Sequence, residues 1–545
     1  MEKRYTFLPE NWFRPGLLVA FATILTLNTS AQTAPNIQWD KTSGGNNIDH
    51  LRSMQQTTDG GFILGGISNS GISGNKSQTS KGGWDYWIVK TDGNGNKIWD
   101  RTFGGNEEED LYAVKQTFDG GFILGGNSAS GISGDKTQAS KGMHDCWLIK
   151  LDSNGNIVWN KSFGGTGVDR LYSIQQTFDG GFILGGSSTS GANGDKSQSN
   201  KGAYDYWAIK VNINGNKQWD RTFGGTEYEY LRSIIQTSDG GYLLGGESDS
   251  GLNNDKSQAS RGGFDMWVIK LDPIGNKIWD KTIGGSSNDY LRSLIQTKEG
   301  GFMLSGFSDS PISSEKSQSS NGGNDYWILK LDPNGNITWD KTFGGNNEDI
   351  LFSIEQSSDE GFILAGHSNS NISIDKSQVT QGAYDFWVIR LNKTGNKVWD
   401  KTIGGSNNDL CFSMQRTSDN GYILGGYSDS NISGDKSQQS QGFQDYWIVK
   451  LAADVTGIKE AEANFALSIS PNPNQGKFTL QLSNLTATKA EITVSDLLGR
   501  VVLKQPLSVS NKQISEELTL PYAKGMYLLQ VNVGEQLLTR KILVE

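Results

Sequence analysis

The chain is short of the residues from which most metal, redox and hydrolytic sites are built. Among 545 residues there are only 2 cysteines and 3 histidines. Cys146 and Cys411 have no partner at a matching offset, which excludes a disulfide framework and a clustered thiolate site. His50, His144 and His367 fall at unrelated positions, so no Ser/His/Asp arrangement, Cys/His nucleophile or three-ligand metal cluster can be assembled from the sequence. Positive charge is spread evenly and the formal net charge is −10. No basic stripe remains to neutralise phosphates, and nucleic acid is excluded as a partner. Long apolar runs are missing too: no segment after the N-terminus could cross a membrane as a helix.

The N-terminus reads as a targeting segment. Lys3, Arg4 and Arg14 lead an apolar stretch from Leu17 to Leu27, and Thr29-Ser30-Ala31 offers small residues for cleavage before Gln32. Residues 1–31 are therefore assigned as a signal peptide, too short in its apolar part to anchor the chain.

What is abundant is glycine, 70 residues placed beside aromatic and β-branched runs. That is the composition of many short strands joined by tight turns. Trp39, Trp99, Trp159, Trp219, Trp279, Trp339 and Trp399 recur every 60 residues, in step with Trp87, Trp147, Trp207, Trp267, Trp327, Trp387 and Trp447. A fixed period without insertions means one structural unit repeated. In residues 106–165, Leu111–Thr117 is expected as a strand, Asp119-Gly120-Gly121 as a tight turn and Phe122–Gly126 as the second strand. A long polar loop leads to Asp145–Leu151, a third strand, and a DSNGN turn leads to Ile157–Phe163, the fourth. The array opens on a lone fourth strand, Ile37–Thr42, and closes on a third strand, Asp445–Leu451, with no fourth after it. Residues 36–451 are thus expected to form an all-β, seven-bladed β-propeller of four-stranded blades, its ring closed by the N-terminal strand.

The turn and fourth strand resemble the tryptophan-docking repeats of pyrroloquinoline-quinone-type propellers, through Asp92-Gly95-Trp99, Asp152-Gly155-Trp159 and Asp332-Gly335-Trp339. The whole unit is similar to the D-G-G-F-I-L-A-G repeats of exported propeller proteins in Bacteroidetes-type bacteria. This resemblance implies a fold and leaves function open.

One face of such a ring carries the long second-to-third loops and the links between units, and loops on a rigid scaffold are where binding usually sits. On that face Lys76, Lys136, Lys196, Lys256, Lys316, Lys376 and Lys436 recur in Asp-Lys-Ser-Gln-type motifs. So do the acids Asp49, Glu109, Asp169, Glu229, Asp289, Asp349 and Asp409. Either these groups form a charged ring presented to a glycan or protein ligand, or each lysine meets an acid and pins its loop. A reading surface should vary between blades, whereas a loop lock should recur in every one. Asp85, Asp145, Asp205, Asp265, Asp325, Asp385 and Asp445, two residues before the second tryptophan, read as hydrogen-bonding between blades. The DSNGN turns alternate carboxylate and amide oxygens as calcium sites do, but lack the length and closing Glu of an EF-hand loop. No cofactor is assigned, with calcium as the alternative.

After Leu451 the period stops. Residues 452–464 read as a polar linker, and 465–545 as a small immunoglobulin-like β-sandwich from alternating runs such as KFTLQLSN and GMYLLQVNV. Ser470-Pro471-Asn472-Pro473 with Gly476, then Asp496–Arg500, then Lys524-Gly525-Met526-Tyr527 followed by Lys541–Val544 resemble the type A sorting domain of the type IX secretion system. The resemblance implies the type IX machinery as a partner, passage across the outer membrane, and a cell-surface or extracellular destination. A non-enzymatic binding or scaffold module is the expected function. The alternatives are a carbohydrate-active hydrolase or lyase, which would need clustered acids in unequal environments, and an oligomerising structural component.

Overall fold

A computed structural model describes residues 33–454, 466–485, 489–496, 501–520, 524–533 and 536–544. The expected signal peptide, most of the expected linker and Leu497–Arg500 of the middle sorting motif lie outside the described residues. Among the described residues all regular structure is strand, and no helix is long and apolar enough to cross a membrane.

The repeat region is a propeller-type array. Between Ile37 and Leu451 there are seven four-stranded antiparallel sheets, six of them built from consecutive strands. In the sheet Asp49–Gln56, Phe62–Ser68, Asp85–Thr91, Lys97–Phe103, the two middle strands are buried along their whole length. The burial follows from sequence: FILGG and DYWIVK run apolar without alternation, as strands covered on both faces do. Each sheet lays Trp87 or its equivalent against the preceding sheet in the ring, as Trp147 lies on Tyr86 and Trp87 on Tyr446, fully buried. Tight turns hold the strands in register. Gly120, at φ 81° in the Asp119-Gly120-Gly121 turn, takes a backbone conformation that other residues resist.

The seventh sheet is different. Its three consecutive strands, Asp409–Arg416, Tyr422–Ser428 and Asp445–Leu451, are completed by Ile37–Ser43 from the other end of the array. First strands contact one another from each sheet to the next, and Asp49–Gln56 also meets Asp409–Arg416. Seven first strands thus surround a common axial space.

Residues 466–544 hold two further sheets around a shared core that includes Leu480, Ile492, Val494, Leu529 and Val531. Two strands there escape the sequence reading, Val501–Ser508 and Ile514–Thr519. The first contains Pro506, which argues against a strand, but it lies at the edge of its sheet, where a missing N–H costs no ladder bond.

Candidate functional site

The recurring charged groups are buried, and a ring of them presented to a ligand is corrected on that ground. Lys76, Lys136, Lys196, Lys256, Lys316, Lys376 and Lys436 are all 3% exposed or less. Lys76 Nζ donates to the Gln78 carbonyl at 2.8 Å and to Thr102 Oγ1 at 2.7 Å. Lys376 donates to the Gln378 carbonyl at 2.9 Å and Thr380 Oγ1 at 3.0 Å. Each lysine therefore ties its long loop together, and in several units ties it to the fourth strand. The acids Asp49, Glu109, Asp169, Glu229, Asp289, Asp349 and Asp409 are fully buried. Asp169 Oδ2 accepts from the Gly165 N–H at 2.7 Å and Ser190 Oγ at 2.8 Å, fixing the link between units. The lysines pair with carbonyl and hydroxyl oxygens in place of these acids, whose charge only offsets part of the burial that lowers Lys76 to about 8. Burying an ammonium is tolerable only with such partners. Every unit needs the same lock, which is why the motif recurs.

The second set of acids, expected to hydrogen-bond between blades, also accepts hydrogen bonds within its own unit. Asp325 Oδ2 accepts from the Asn321 N–H at 2.7 Å, inside its own unit. Across the boundary it faces another acid, Asp349. The corresponding neighbours are Asp85 and Glu109, Asp145 and Asp169, Asp205 and Glu229, Asp265 and Asp289, Asp385 and Asp409, and Asp445 and Asp49. The electrostatic neighbour across each boundary is thus a second acid, which adds to burial in raising the first. In the DSNGN-type turns the carboxylate is already engaged: Asp92 Oδ1 accepts from the N–H groups of Asn94 and Asn96, both at 2.9 Å. Among the described residues no three His, Cys, Asp or Glu side chains gather as a metal would require.

The place where the units differ is the axis. In each first strand the pairing steps from Leu51–Gly66 to Ser53–Gly65 or its equivalent, leaving one residue bulged out. Those residues are Arg52, Tyr112, Tyr172, Arg232, Arg292, Phe352 and Phe412. Glycine opposite the bulge permits it, since a Cβ on Gly66 would lie 1.9 Å from the His50 carbonyl oxygen. A bulge re-aims a side chain. Here all seven, with Arg170 and Tyr230, line one axial cavity of about 550 Å³, within the range of small-molecule sites.

Charge in this cavity is unequally committed. Glu247, 1% exposed, accepts from Arg232 Nε at 2.8 Å and lies 3.3 Å from Arg292 Nη1. Arg52 instead stacks over Phe412, 5.1 Å from the ring centre, and Arg170 lies beside Tyr172, whose hydroxyl favours its charge. Among the described residues no carboxylate lies within 4.0 Å of either Arg52 or Arg170; both act on Asp110, whose carboxyl is raised by burial in spite of their charge. Aromatic rings fill the intervals: Tyr112 meets Tyr172 edge-on at 5.0 Å and Phe352 meets Phe412 at 4.7 Å. Two histidines that sequence offsets keep apart converge on this rim. His50 stacks on Tyr427 at 4.0 Å and His367 on Phe352 at 5.4 Å. Burial lowers both to about 4, so both are neutral at pH 7.

The opposite half of the axial space, about 480 Å³, is lined by Ser, Gln and Ile side chains with Lys115 and Glu355. There Gln55 Oε1 accepts from the Gln116 N–H at 2.7 Å and Glu355 Oε2 from the Arg416 N–H at 2.7 Å, clasping adjacent units.

The comparisons bear mainly on the C-terminus. Residues 468–545 match the family described as the secretion system C-terminal sorting domain. The chain thus carries a type IX sorting domain, which implies export in Bacteroidetes-type bacteria. Over 171 residues, 29% of the chain, it is 24% identical to the regulatory protein FlaEY of Caulobacter vibrioides, and the match spans 18% of that protein's length. Among solved structures, a Synechocystis apocarotenoid oxygenase variant aligns at 8% identity and a TM-score of 0.36, covering 90% of this chain and 96% of that one. A protein of unknown function from Bacteroides thetaiotaomicron aligns at 10% identity and a TM-score of 0.30, covering 77% and 74%.

Proposed function

We propose that the mature protein is an exported, non-enzymatic ligand-binding module: a seven-bladed β-propeller whose site is the axial pocket on the long-loop face, followed by an immunoglobulin-like sorting domain. Its destination is the cell surface or the medium, reached after loss of the signal peptide. The observation that carries this reading is where the repeats differ. Lock residues recur unit after unit, while the bulge position is Arg, Tyr, Tyr, Arg, Arg, Phe, Phe. Packing alone would accept one residue type seven times; a ligand that meets the axis asymmetrically requires several. Glu247, buried behind two of the pocket's arginines, is engaged by both, which suits an ordered wall better than acid–base chemistry.

Glycan-array binding by residues 32–545 tests it. Tyr172→Ala should weaken binding about tenfold or more, as loss of a stacked aromatic does, while Lys376→Met should leave affinity intact and lower stability by roughly 1–3 kcal/mol. Equal binding by wild type and Tyr172→Ala would remove the axial pocket from the account. For the sorting domain, a chain ending at Asp454 should accumulate in the periplasm of a type IX-competent cell, read by fractionation. Its appearance in the medium would show that export does not depend on residues 468–545.

A further inference from the structure

We propose that the axial pocket takes an acidic sugar residue, its carboxylate or sulfate held between Arg52 and Arg170 and its ring resting on the aromatic wall. This rests on the pocket being the binding site and goes further by naming the ligand's chemistry.

Four guanidinium groups enter one half-buried cavity, and only two are neutralised at close range. Arg232 and Arg292 share Glu247, an arrangement that satisfies the cations and holds that side of the wall rigid. Arg52 and Arg170 come from the first and third units and flank Tyr112 of the second, with no carboxylate in ion-pair distance among the described residues. A guanidinium fork matches the two oxygens of a carboxylate or sulfate, and the low dielectric of a half-enclosed site strengthens the attraction.

The remainder of the wall argues for a ring attached to that anion. One face of Phe412, Tyr172 and Phe352 is already met by Arg52, Arg232 and His367, so what these rings and Tyr112 offer a ligand is their edges and remaining faces, with tyrosine hydroxyls as donors beside them. Stacking surfaces with interspersed hydrogen-bond donors suit the apolar face and hydroxyls of a pyranose, and about 550 Å³ admits one or two such residues at the end of a chain. A bare inorganic anion would leave those rings uncovered.

Isothermal titration of residues 32–545 with a galacturonate trisaccharide, a glucose 6-sulfate oligosaccharide, the neutral galactose trisaccharide and inorganic sulfate tests this. Binding of at least one acidic oligosaccharide is expected to be tenfold or more tighter than that of the neutral one, to weaken as salt rises from 50 to 300 mM, roughly tenfold, and to fall tenfold or more in R52Q/R170Q. The melting temperature of that variant checks its folding, and the salt dependence of wild type stands independently of any variant. Equal affinity for neutral and acidic sugars, lost in Y172A but kept in R52Q/R170Q, would overturn the acidic-ligand assignment and leave the axial binding reading standing. Binding of inorganic sulfate alone would overturn the sugar assignment. Silence from all four probes would count against both.

Discussion

A chain lacking residues 33–43 will not fold into the native ring. Those residues supply the fourth strand of the seventh sheet, pairing from Ile37–Leu451 to Ser43–Tyr446. Trp447 is fully buried and its indole N–H donates to Asp40 Oδ2 at 3.0 Å. The Ser437 N–H meets the same oxygen at 3.0 Å, and Lys436 Nζ reaches Thr42 Oγ1 at 2.6 Å. Truncation would uncover that tryptophan, strand Lys436 and open a sheet edge ready to pair with another chain. The expected result is aggregation, with loss of the near-ultraviolet dichroism of the packed tryptophans. The milder Asp40→Ala should cost about 1–3 kcal/mol by leaving the buried Trp447 indole N–H, and the part-buried Ser437 N–H, without an acceptor. Asp220→Ala, at the equivalent position inside a continuous unit, should cost a similar amount, because Asp220 Oδ2 receives Trp207 Nε1 at 3.1 Å and the Ser197 N–H at 2.9 Å. A truncated chain that melts cooperatively at the wild-type temperature would show that closure by this strand does not hold the ring.

Strand positions were legible because each unit repeats the same turn chemistry. Asp145–Leu151 and Ile157–Phe163 fall where the sequence places them, and the remaining strands of that unit differ by two residues or fewer at an end. That the recurring lysines lock their loops was legible from their recurrence, but which oxygens they meet was not. Nothing in Asp-Lys-Ser-Gln distinguishes a cation donating to carbonyls from one facing water, since the partner oxygens belong largely to backbone and to residues 26 away, as with Thr102 and Lys76. The axial pocket was passed over for a different reason. Comparing units for what they share hides position 52 and its equivalents, where they differ, although that variation stands in the sequence. That these residues share a cavity depends on a bulge, and the bulge depends on how closely Gly66 lets two backbones approach. The glycine pair reads equally well as a turn or packing feature without coordinates.

Native stability is expected to fall as pH rises from about 4 through 7. Burial, reinforced by the facing acid, raises Asp85, Asp265, Asp325 and Asp385 to about 7 and Asp205 and Asp445 to about 6, and raises Asp145 as well. One carboxyl at each of the seven boundaries thus keeps its proton in the folded chain after the unfolded chain has released its own. The stability this contributes is complete below 3.8 and is lost as pH passes through 6 to 7, at about 1.4 kcal/mol per pH unit for each proton retained. His50 and His367, at about 4, act oppositely: their contribution is complete above 6.5 and lost as pH falls through 4. Glu355, raised to about 7, and Asp409, raised to about 6, add to the boundary carboxyls, so the raised acids outnumber the two histidines and the net slope is downward with rising pH. Asp325→Asn isolates one boundary. Oδ1 of Asp325 and Oδ1 of Asp349 are both buried without a hydrogen-bond partner, and an amide would supply a permanent donor where the carboxyl must first take up a proton. The variant should match wild type near pH 5, exceed it by roughly 1–3 kcal/mol at pH 8, and show a shallower slope between them in urea titrations. A wild-type profile flat from pH 5 to 8, or an Asp325→Asn chain weaker than wild type at pH 8, would mean that these boundaries hold two carboxylates apart and not one shared proton.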